Sequence, residues 1–258
     1  MAERHETNDL LIDAWAHFAG SFPTGTVERR DGVVMTLANV LLPFLNICHL
    51  ERAPENLDVL RSQLRVGVDA ARKGGNPWMF SLCGDWLPDG WRQTVTTEGL
   101  EVGMTLTGMT TDALLPPRRP LADLDIRRVD DARTARDIAE LNAHAYDMPT
   151  DMVECMCNMY LWGDEAFGYV GYVDDEPVSC SATFPVGGTV YVGLVATHPD
   201  QQRKGYAEAV MRRSIEEGQR GLGLTRTTLH ASEAGRPLYE AMGYEVGPLF
   251  HLVVEPHE

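Results

Sequence analysis

The sequence is poor in basic residues. It has 22 lysines and arginines against 38 aspartates and glutamates, so its formal net charge at pH 7 is -16. A chain of this sign lacks the long-range attraction on which binding to a nucleic-acid backbone depends. We therefore expect no nucleic-acid partner, and the charge favours cationic partners such as amines.

Cysteine is scarce as well, with five residues and no C-x-x-C pair. This number and spacing predict neither a disulfide framework nor a zinc site. Cys155 and Cys157 lie in a Met-rich segment, where free thiols packed on apolar neighbours explain them better than metal ligands do. No signal peptide is recognisable, so we expect a reduced, cytoplasmic protein without a metal.

Long uncharged apolar runs are limited to one segment, 32–50, which is almost long enough to span a bilayer. It is interrupted by three polar residues and a proline, namely Asn39, Pro43, Asn46 and His49. Two buried strands separated at Pro43 fit this pattern better than a membrane helix does. We therefore expect no membrane partner.

What the sequence does contain is enough apolar surface for two cores. It has 258 residues, of which 44% are hydrophobic, and this suits two domains of about 120 to 140 residues each. The stretch 114–125 carries three prolines and two arginines, which favour an extended, poorly packed linker. We predict an N-terminal α/β domain over 1–115, a linker over 116–123 and a second domain over 124–258.

The second domain has a regular pattern of strands and helices, in the predicted order β-α-α-β-β-β-α-β-α-β. This order indicates a layered α/β domain with a mixed sheet, and the first half repeats it in weaker form. A Met-rich region is predicted to be helical through Trp162. A later helix is predicted from about Ala207 to Glu217, with Gly218 as its stop signal.

The connection into that later helix, "HPDQQRKGYA", has an unusual composition. An apolar strand over 189–197 precedes it, and a helix N-terminus offers unpaired N–H groups and a partial positive charge. Gly205 has no side chain and leaves room for a pyrophosphate, and the small side chain of Ala207 leaves room in the next turn. Gln202 supplies a hydrogen-bond donor, and Arg203 and Lys204 supply positive charge. A phosphate-binding loop explains this segment better than a surface turn with scattered cations does.

Two motifs carry a resemblance to a known family. Pro199 followed by "QRKGYA", residues 202–207, resembles the acyl-CoA signature Q/R-x-x-G-x-G/A of the GNAT superfamily of N-acetyltransferases. The segment "LHASEAGRPLYEAMGYE", residues 229–245, is similar to the late strand and helix of that family. The resemblance covers about 124–256. It implies a GNAT fold and the transfer of an acetyl or short acyl group from acetyl-CoA to a primary amine of a small molecule or peptide.

The resemblance also implies roles for individual residues. The strand before the loop would pair with the pantetheine arm, and the N–H of Val195 would polarise the thioester carbonyl. Tyr239 matches a tyrosine that protonates the departing thiolate, a role that a hydroxyl pKa of about 10 suits. The residues expected to bind acetyl-CoA are Val195, Ala196, Thr197, Gln202, Arg203, Lys204, Gly205, Tyr206 and Ala207.

The sequence departs from the family pattern at two places. Ser232 stands where the family often has an asparagine, and the strand 189–197 lacks the glutamate that many members use as a general base. Candidates for the base are His230, Tyr191 and Asp147, with a water relay to bulk solvent as the alternative. His230 shares a strand face with Ser232, although a lone histidine on a strand is more often a structural residue than a base.

These departures leave a second function open, that of a CoA-binding regulatory or interaction protein that has lost turnover. The first half is predicted to be a degenerate GNAT-like domain without a phosphate loop, which would supply acceptor walls or a dimer surface. Cys180, in mid-strand, is explained better as a buried inert thiol than as an acyl carrier. The acceptor, the acyl chain length, the base and the oligomeric state, with a homodimer as one alternative, stay open.

Overall fold

The structure is a computed structural model that describes residues 6–157 and 159–256. It divides into two compact units. Unit 1 consists of the described residues up to Met109, together with His230–Arg236 and those after Glu245. Unit 2 consists of Thr110–Leu229 and Pro237–Glu245. Helices and strands alternate in both units, which confirms the predicted α/β class with a mixed sheet.

Unit 1 carries three helices and most of six strands. The helices are α1 (Glu6–Gly20), α2 (Leu57–Gly74) and α3 (Trp91–Thr97). The strands are β1 (Thr26–Arg30), β2 (Val33–Leu37), β3 (Asn46–Leu50), β4 (Met79–Cys83), β5 (Glu101–Thr111) and β11 (Glu245–Val254). They lie in the order β1-β2-β3-β4-β11-β5, with β3 and β4 parallel.

The last strand of the chain belongs to unit 1 because it pairs there. β11 runs antiparallel to β4, with Phe250 opposite Cys83 and Val253 opposite Phe80. The predicted division of the chain at 116–123 does not account for this long-range pairing. That division remains a prediction from the sequence.

The uncharged segment 32–50 forms strands, as predicted. β2 and β3 pair antiparallel, and a short 3-10 turn at Pro43–Leu45 separates them. β1 was not predicted, since all five of its residues are exposed and only an edge position next to β2 makes them a strand. No helix within the described residues combines the length and the apolar character that crossing a bilayer requires.

Unit 2 contains the predicted phosphate loop. Its helices are α4 (Ala132–Ala145), the single turn α5 (Thr150–Val153), α6 (Tyr206–Leu222) and α7 (Arg236–Ala241), of which Arg236 counts with unit 1. Its strands are β6 (Asp125–Arg128), β7 (Phe167–Val173), β8 (Glu176–Val186), β9 (Thr189–Thr197) and the start of β10 (Thr227–Ser232). The order is β10-β9-β8-β7-β6, and only the β10/β9 pair is parallel.

The predicted end of α6 is wrong. α6 does not stop at Gly218 but continues to Leu222, and Gly223, with φ of 68°, ends it. Gly218 serves close packing instead, because a Cβ there would collide with Oγ1 of Thr183 on β8. The Met-rich region consists of the single turn α5 followed by 3-10 turns up to Leu161, and the indole of Trp162 donates to the carbonyl of Met156 at 3.0 Å.

Small polar side chains fix α6 against the sheet. Ser214 of α6 makes a 2.8 Å hydrogen bond to Ser181, and its carbonyl accepts one from Thr183 at 3.0 Å. All three residues are fully buried. This close contact holds the axis of α6, and with it the position of the loop that precedes its N-terminus.

Candidate active site

The strand that leads to the loop is interrupted by a β-bulge. Across the β8/β9 pair, Ala182 faces Gly193 and Cys180 faces Ala196. Leu194 and Val195 therefore lie opposite the single residue Ser181. Leu194 has φ of 53°, a left-handed conformation that costs a non-glycine residue about 1 to 3 kcal/mol. Such a bulge turns the backbone groups beside it out of the regular ladder.

β9 also parts from its parallel neighbour. The register joins Thr227 to Val190 and Thr228 to Tyr191. In the part of the chain that the structure describes, 192–193 and 196–197 have register partners on β8, and none of 192–197 has one on β10. The second half of β9 therefore has one edge along which an extended ligand could pair with the main chain.

The loop then turns into α6 through two left-handed residues. Arg203 has φ of 62°, and Gly205 has φ of 86° and is the N-cap of α6. The first intrahelical bond runs from the N–H of Ala209 to the carbonyl of Gly205 at 3.2 Å. The N–H groups of residues 206–208 accordingly have no acceptor inside the helix, and a glycine cap offers no side chain to them. This geometry suits an anion.

An arginine from the predicted linker reaches the same loop. A Cβ placed on Gly205 would lie 3.2 Å from Nη2 of Arg119, so Arg119 lies beside the loop that also carries Arg203 and Lys204. Leu115, which directly precedes the predicted linker, makes two hydrogen bonds. Its N–H donates to the carbonyl of Met242 at 2.9 Å, and its carbonyl accepts from Arg212 at 2.8 Å. Residues 115–121 are all exposed and form neither helix nor strand, so the extended character expected of this segment agrees with the structure, and its role as a linker stays a prediction.

The N-terminus of the corresponding helix of unit 1 is capped by a side chain. α2 follows β3 as α6 follows β9, but its N-cap is Asn56. The Oδ1 of Asn56 accepts hydrogen bonds from the N–H groups of Asp58 and Val59, each at 3.0 Å. These are the amides that an anion would need, so α2 lacks the open N-terminus that α6 presents.

A group of buried tyrosines lies in unit 2. Tyr239 of α7 is 8% exposed, and its ring meets that of Tyr244 edge-on with centroids 6.1 Å apart. Burial raises the pKa of Tyr239 well above its ordinary value, with smaller contributions from Tyr146 and Tyr244. Burial likewise raises the pKa of Tyr191 on β9, with contributions from Tyr146 and Tyr239. These hydroxyls therefore stay protonated at neutral pH.

A family model agrees with this arrangement of strand, loop and helix. The acetyltransferase (GNAT) domain model matches residues 164–246, which include β7 to β10, the loop, α6 and α7. The second half of the chain contains a GNAT domain. The predicted recognition of this family is confirmed.

Solved structures show that the fold similarity extends over the whole chain. A GCN5-related N-acetyltransferase from Kribbella flavida has a TM-score of 0.73 at 14% identity, covering 99% of this chain and 98% of its own. One from Sphaerobacter thermophilus has a TM-score of 0.60 at 12% identity, covering 88% and 78%. A tandem GNAT protein of clavulanic acid biosynthesis has a TM-score of 0.56 at 12% identity, covering 94% and 89%. No curated protein matches the sequence.

His230 and Ser232 belong to unit 1, although the sequence predicted them as part of the site. The Nε2 of His230 donates to the carbonyl of Thr7 at 3.0 Å, and burial lowers the pKa of His230 to about 3. The ring also meets Phe250 edge-on at 4.9 Å. The hydroxyl of Ser232 accepts from the N–H of Gly235 at 3.3 Å. Their catalytic roles remain predictions.

The other predicted residues lie on β9, in the loop before α6 or at the surface of unit 2. Val195 is in the bulge, and the carbonyl of Ala196 accepts from Ser179 at 2.9 Å. Lys204 donates to Gln201 at 2.6 Å. Asp147 is exposed with φ of 50°. Within the described residues, no group of three or more His, Cys, Asp or Glu side chains could hold a metal ion.

Two contributors to the site were missed from the sequence. From the sequence, Arg119 was interpreted only as part of a proline-rich linker. Two adjacent arginines, Arg118 and Arg119, in an acidic chain were an available signal. Leu194 gave no signal, because positive φ is ordinarily expected of glycine, asparagine or aspartate.

Proposed function

We propose that the GNAT domain transfers an acetyl or short acyl group from acetyl-CoA to a primary amine of a small molecule or peptide. The observation that supports this most is the uncapped N-terminus of α6 at Gly205, directly after a bulged strand. The acidity of the chain favours a cationic acceptor.

In this proposal the loop binds the pyrophosphate of acetyl-CoA. The N–H groups of 206–208 would donate to its oxygens, with Gln202 as a further donor and with charge from Arg203, Lys204 and Arg119. The fit rests on space as well as on charge, because a Cβ at residue 205 would come within 3.2 Å of Nη2 of Arg119. The pantetheine arm would pair with the backbone of Val195, Ala196 and Thr197.

The chemistry would be direct attack. The amine nitrogen forms a bond to the thioester carbonyl carbon, and the carbon–sulfur bond breaks. The N–H of Val195 would stabilise the negative charge on the carbonyl oxygen. The hydroxyl of Tyr239, protonated at neutral pH, would give its proton to the departing thiolate. The proton released by the amine would leave through water or through a base that is still to be identified.

We further propose that unit 1 is a degenerate GNAT-like unit that does not bind acetyl-CoA. The support is Asn56, whose side chain occupies the N–H groups of α2 that a phosphate would require. In terms of sequence, the predicted linker 116–123 separates this first domain from the catalytic one.

A second candidate function, CoA binding without turnover, has one observation in its favour. β9 carries no carboxylate, and the low pKa of His230 makes that histidine a weak base. A comparison of binding with turnover separates the two functions, and the Tyr239 variant described in the Discussion makes that comparison.

Calorimetric titration of acetyl-CoA tests the proposal. In Gly205→Glu, a carboxylate would occupy the pyrophosphate site, so we expect at least a 100-fold weaker Kd. The matched control is Gly223→Glu, which makes the same change at a left-handed glycine, with φ of 68° and open space around it, at the other end of α6.

The control carries the same backbone strain and the same added charge, so we expect it to bind like wild type. If both variants bind equally well, or if wild type does not bind at all, the loop is not a pyrophosphate site. Circular dichroism and melting curves establish that both variants are folded.

A further inference from the structure

Cys180 of β8 makes three contacts around the bulge of β9. Its sulfur lies 3.2 Å from the carbonyl oxygen of Leu194, to which it donates. It accepts from Nδ2 of Asn142 on α4 at 3.5 Å, and the backbone of Ala196 also bonds to it. Cys180 is fully buried, so these are the contacts available to its thiol in place of water.

The thiol is a donor at every working pH. Burial raises the pKa of Cys180 to about 12, and the hydrogen bonds from Ala196 and Asn142 offset that increase only in part. A protonated, inaccessible thiol is not a nucleophile, so an acyl-cysteine intermediate at this position does not fit. It can, however, donate a hydrogen bond.

The hydrogen bond to Leu194 sets the direction of the next amide. The carbonyl of Leu194 and the N–H of Val195 belong to one planar trans peptide, and they point in opposite directions from it. With the carbonyl directed at Cys180, the N–H of Val195 is directed to the other side of the chain. Leu194, with its positive φ, is the bulge residue that immediately precedes the amide of Val195.

We propose that Cys180 is a positioning residue, whose thiol holds the Leu194 carbonyl so that the N–H of Val195 faces the thioester oxygen. The inference rests on the proposed function, because it assigns a cause to the orientation of the group that polarises the carbonyl. The side-chain amide of Asn142 on α4 donates to the sulfur of Cys180. The same nitrogen also donates to the carbonyl of Ile138 at 2.8 Å, and this second bond fixes the position of the Asn142 side chain.

Three variants test the proposal. Cys180→Ala removes the donor, and Cys180→Ser keeps a hydroxyl donor in nearly the same volume. Cys48→Ala is the matched control, because Cys48 is also fully buried and donates to a backbone carbonyl, that of Gly67 at 3.4 Å, but it lies in unit 1.

For steady-state transfer to an amine that wild type accepts, we expect Cys180→Ala to lower kcat about 10- to 100-fold, because a misdirected donor stabilises the transition state poorly. The Kd for acetyl-CoA should change less than about threefold, since the pyrophosphate loop is intact. Cys180→Ser should recover most of the lost kcat, and Cys48→Ala should retain wild-type kcat. A folded Cys180→Ala with wild-type kcat, or a serine variant as slow as the alanine variant, overturns the proposal.

Amide hydrogen exchange of residues 192–197 without ligand provides a second measurement. We expect exchange there to rise about tenfold or more in Cys180→Ala but not in Cys48→Ala. Unchanged exchange overturns the positioning role whatever the kinetics. If wild type itself transfers no acyl group to any amine, the proposed function fails together with the catalytic part of this inference, while the exchange result still decides whether Cys180 orients the bulge.

Discussion

Replacing Tyr239 with phenylalanine removes one hydroxyl and leaves the ring in place. Tyr239 is 8% exposed, and its edge-on contact with Tyr244 at 6.1 Å uses ring atoms that phenylalanine also has. We therefore expect Tyr239→Phe to fold and to bind acetyl-CoA with a Kd close to that of wild type. Only the proton donor is lost.

The expected effect on kcat follows from the size of general acid catalysis, which is about 100- to 10,000-fold. Taking the lower end, kcat falls about 100-fold, which corresponds to about 2.7 kcal/mol on the activation barrier. The raised pKa of Tyr239 means that the wild-type hydroxyl is protonated throughout the neutral range, so its titration should not shape the pH profile below pH 9 or so.

The assay is continuous detection of released CoA thiol with an amine panel, run beside a calorimetric Kd. Tyr244→Phe is the control, because it also removes a buried hydroxyl, one that accepts from Thr227 at 3.0 Å. It should lose about 1 kcal/mol of unfolding free energy and keep kcat within about twofold.

A folded Tyr239→Phe that retains kcat within about threefold of wild type would refute the assignment of the acid. If wild type binds acetyl-CoA tightly but no amine produces thiol, the CoA-binding regulatory function is the better description.

Two further predictions concern charge. Arg119→Ala should raise KM for acetyl-CoA about 3- to 10-fold, and the difference from wild type should shrink at high salt. The control Arg118→Ala should leave KM unchanged. A KM of Arg119→Ala equal to that of wild type would exclude Arg119 from the proposed phosphate site. Burial lowers the pKa values of His49 and His230 to about 3, below the value of 6.5 for a free histidine, so both are neutral when folded. Because the unfolded chain binds these protons more readily, unit 1 should lose stability as the pH falls from about 6.5 towards 3. The slope should approach about 1.4 kcal/mol per pH unit for each histidine, measured by urea unfolding, and a His49→Gln variant with the same slope as wild type would contradict this.

Features that depend on neighbouring residues were predicted from the sequence. The strand 189–197, the loop and the start of α6 follow from apolar alternation and from a glycine at a helix N-terminus. The open amides of α6 and the capped amides of α2 differ because one N-cap is Gly205 and the other is Asn56, a difference visible in the letters alone. These are properties of a few adjacent residues.

The end of α6 shows where local signals fail. Gly218 resembles a stop, but burial against Thr183 makes the glycine necessary inside the helix, and Gly223 ends it instead. Here a tertiary side-chain contact outweighs intrinsic propensity.

The sequence by itself determined the GNAT signature, the strand, loop and helix start around Gly205, and the α/β class, because glycine conformations, helix starts and strand alternation are set over short distances. Only the tertiary structure decided the bulge at Leu194, the approach of Arg119 to Gly205, the contacts of Cys180 and the pairing of β11 with β4. Each of these joins segments that are far apart in the chain. Their geometry depends on the packing of whole helices and strands, and no local pattern encodes it.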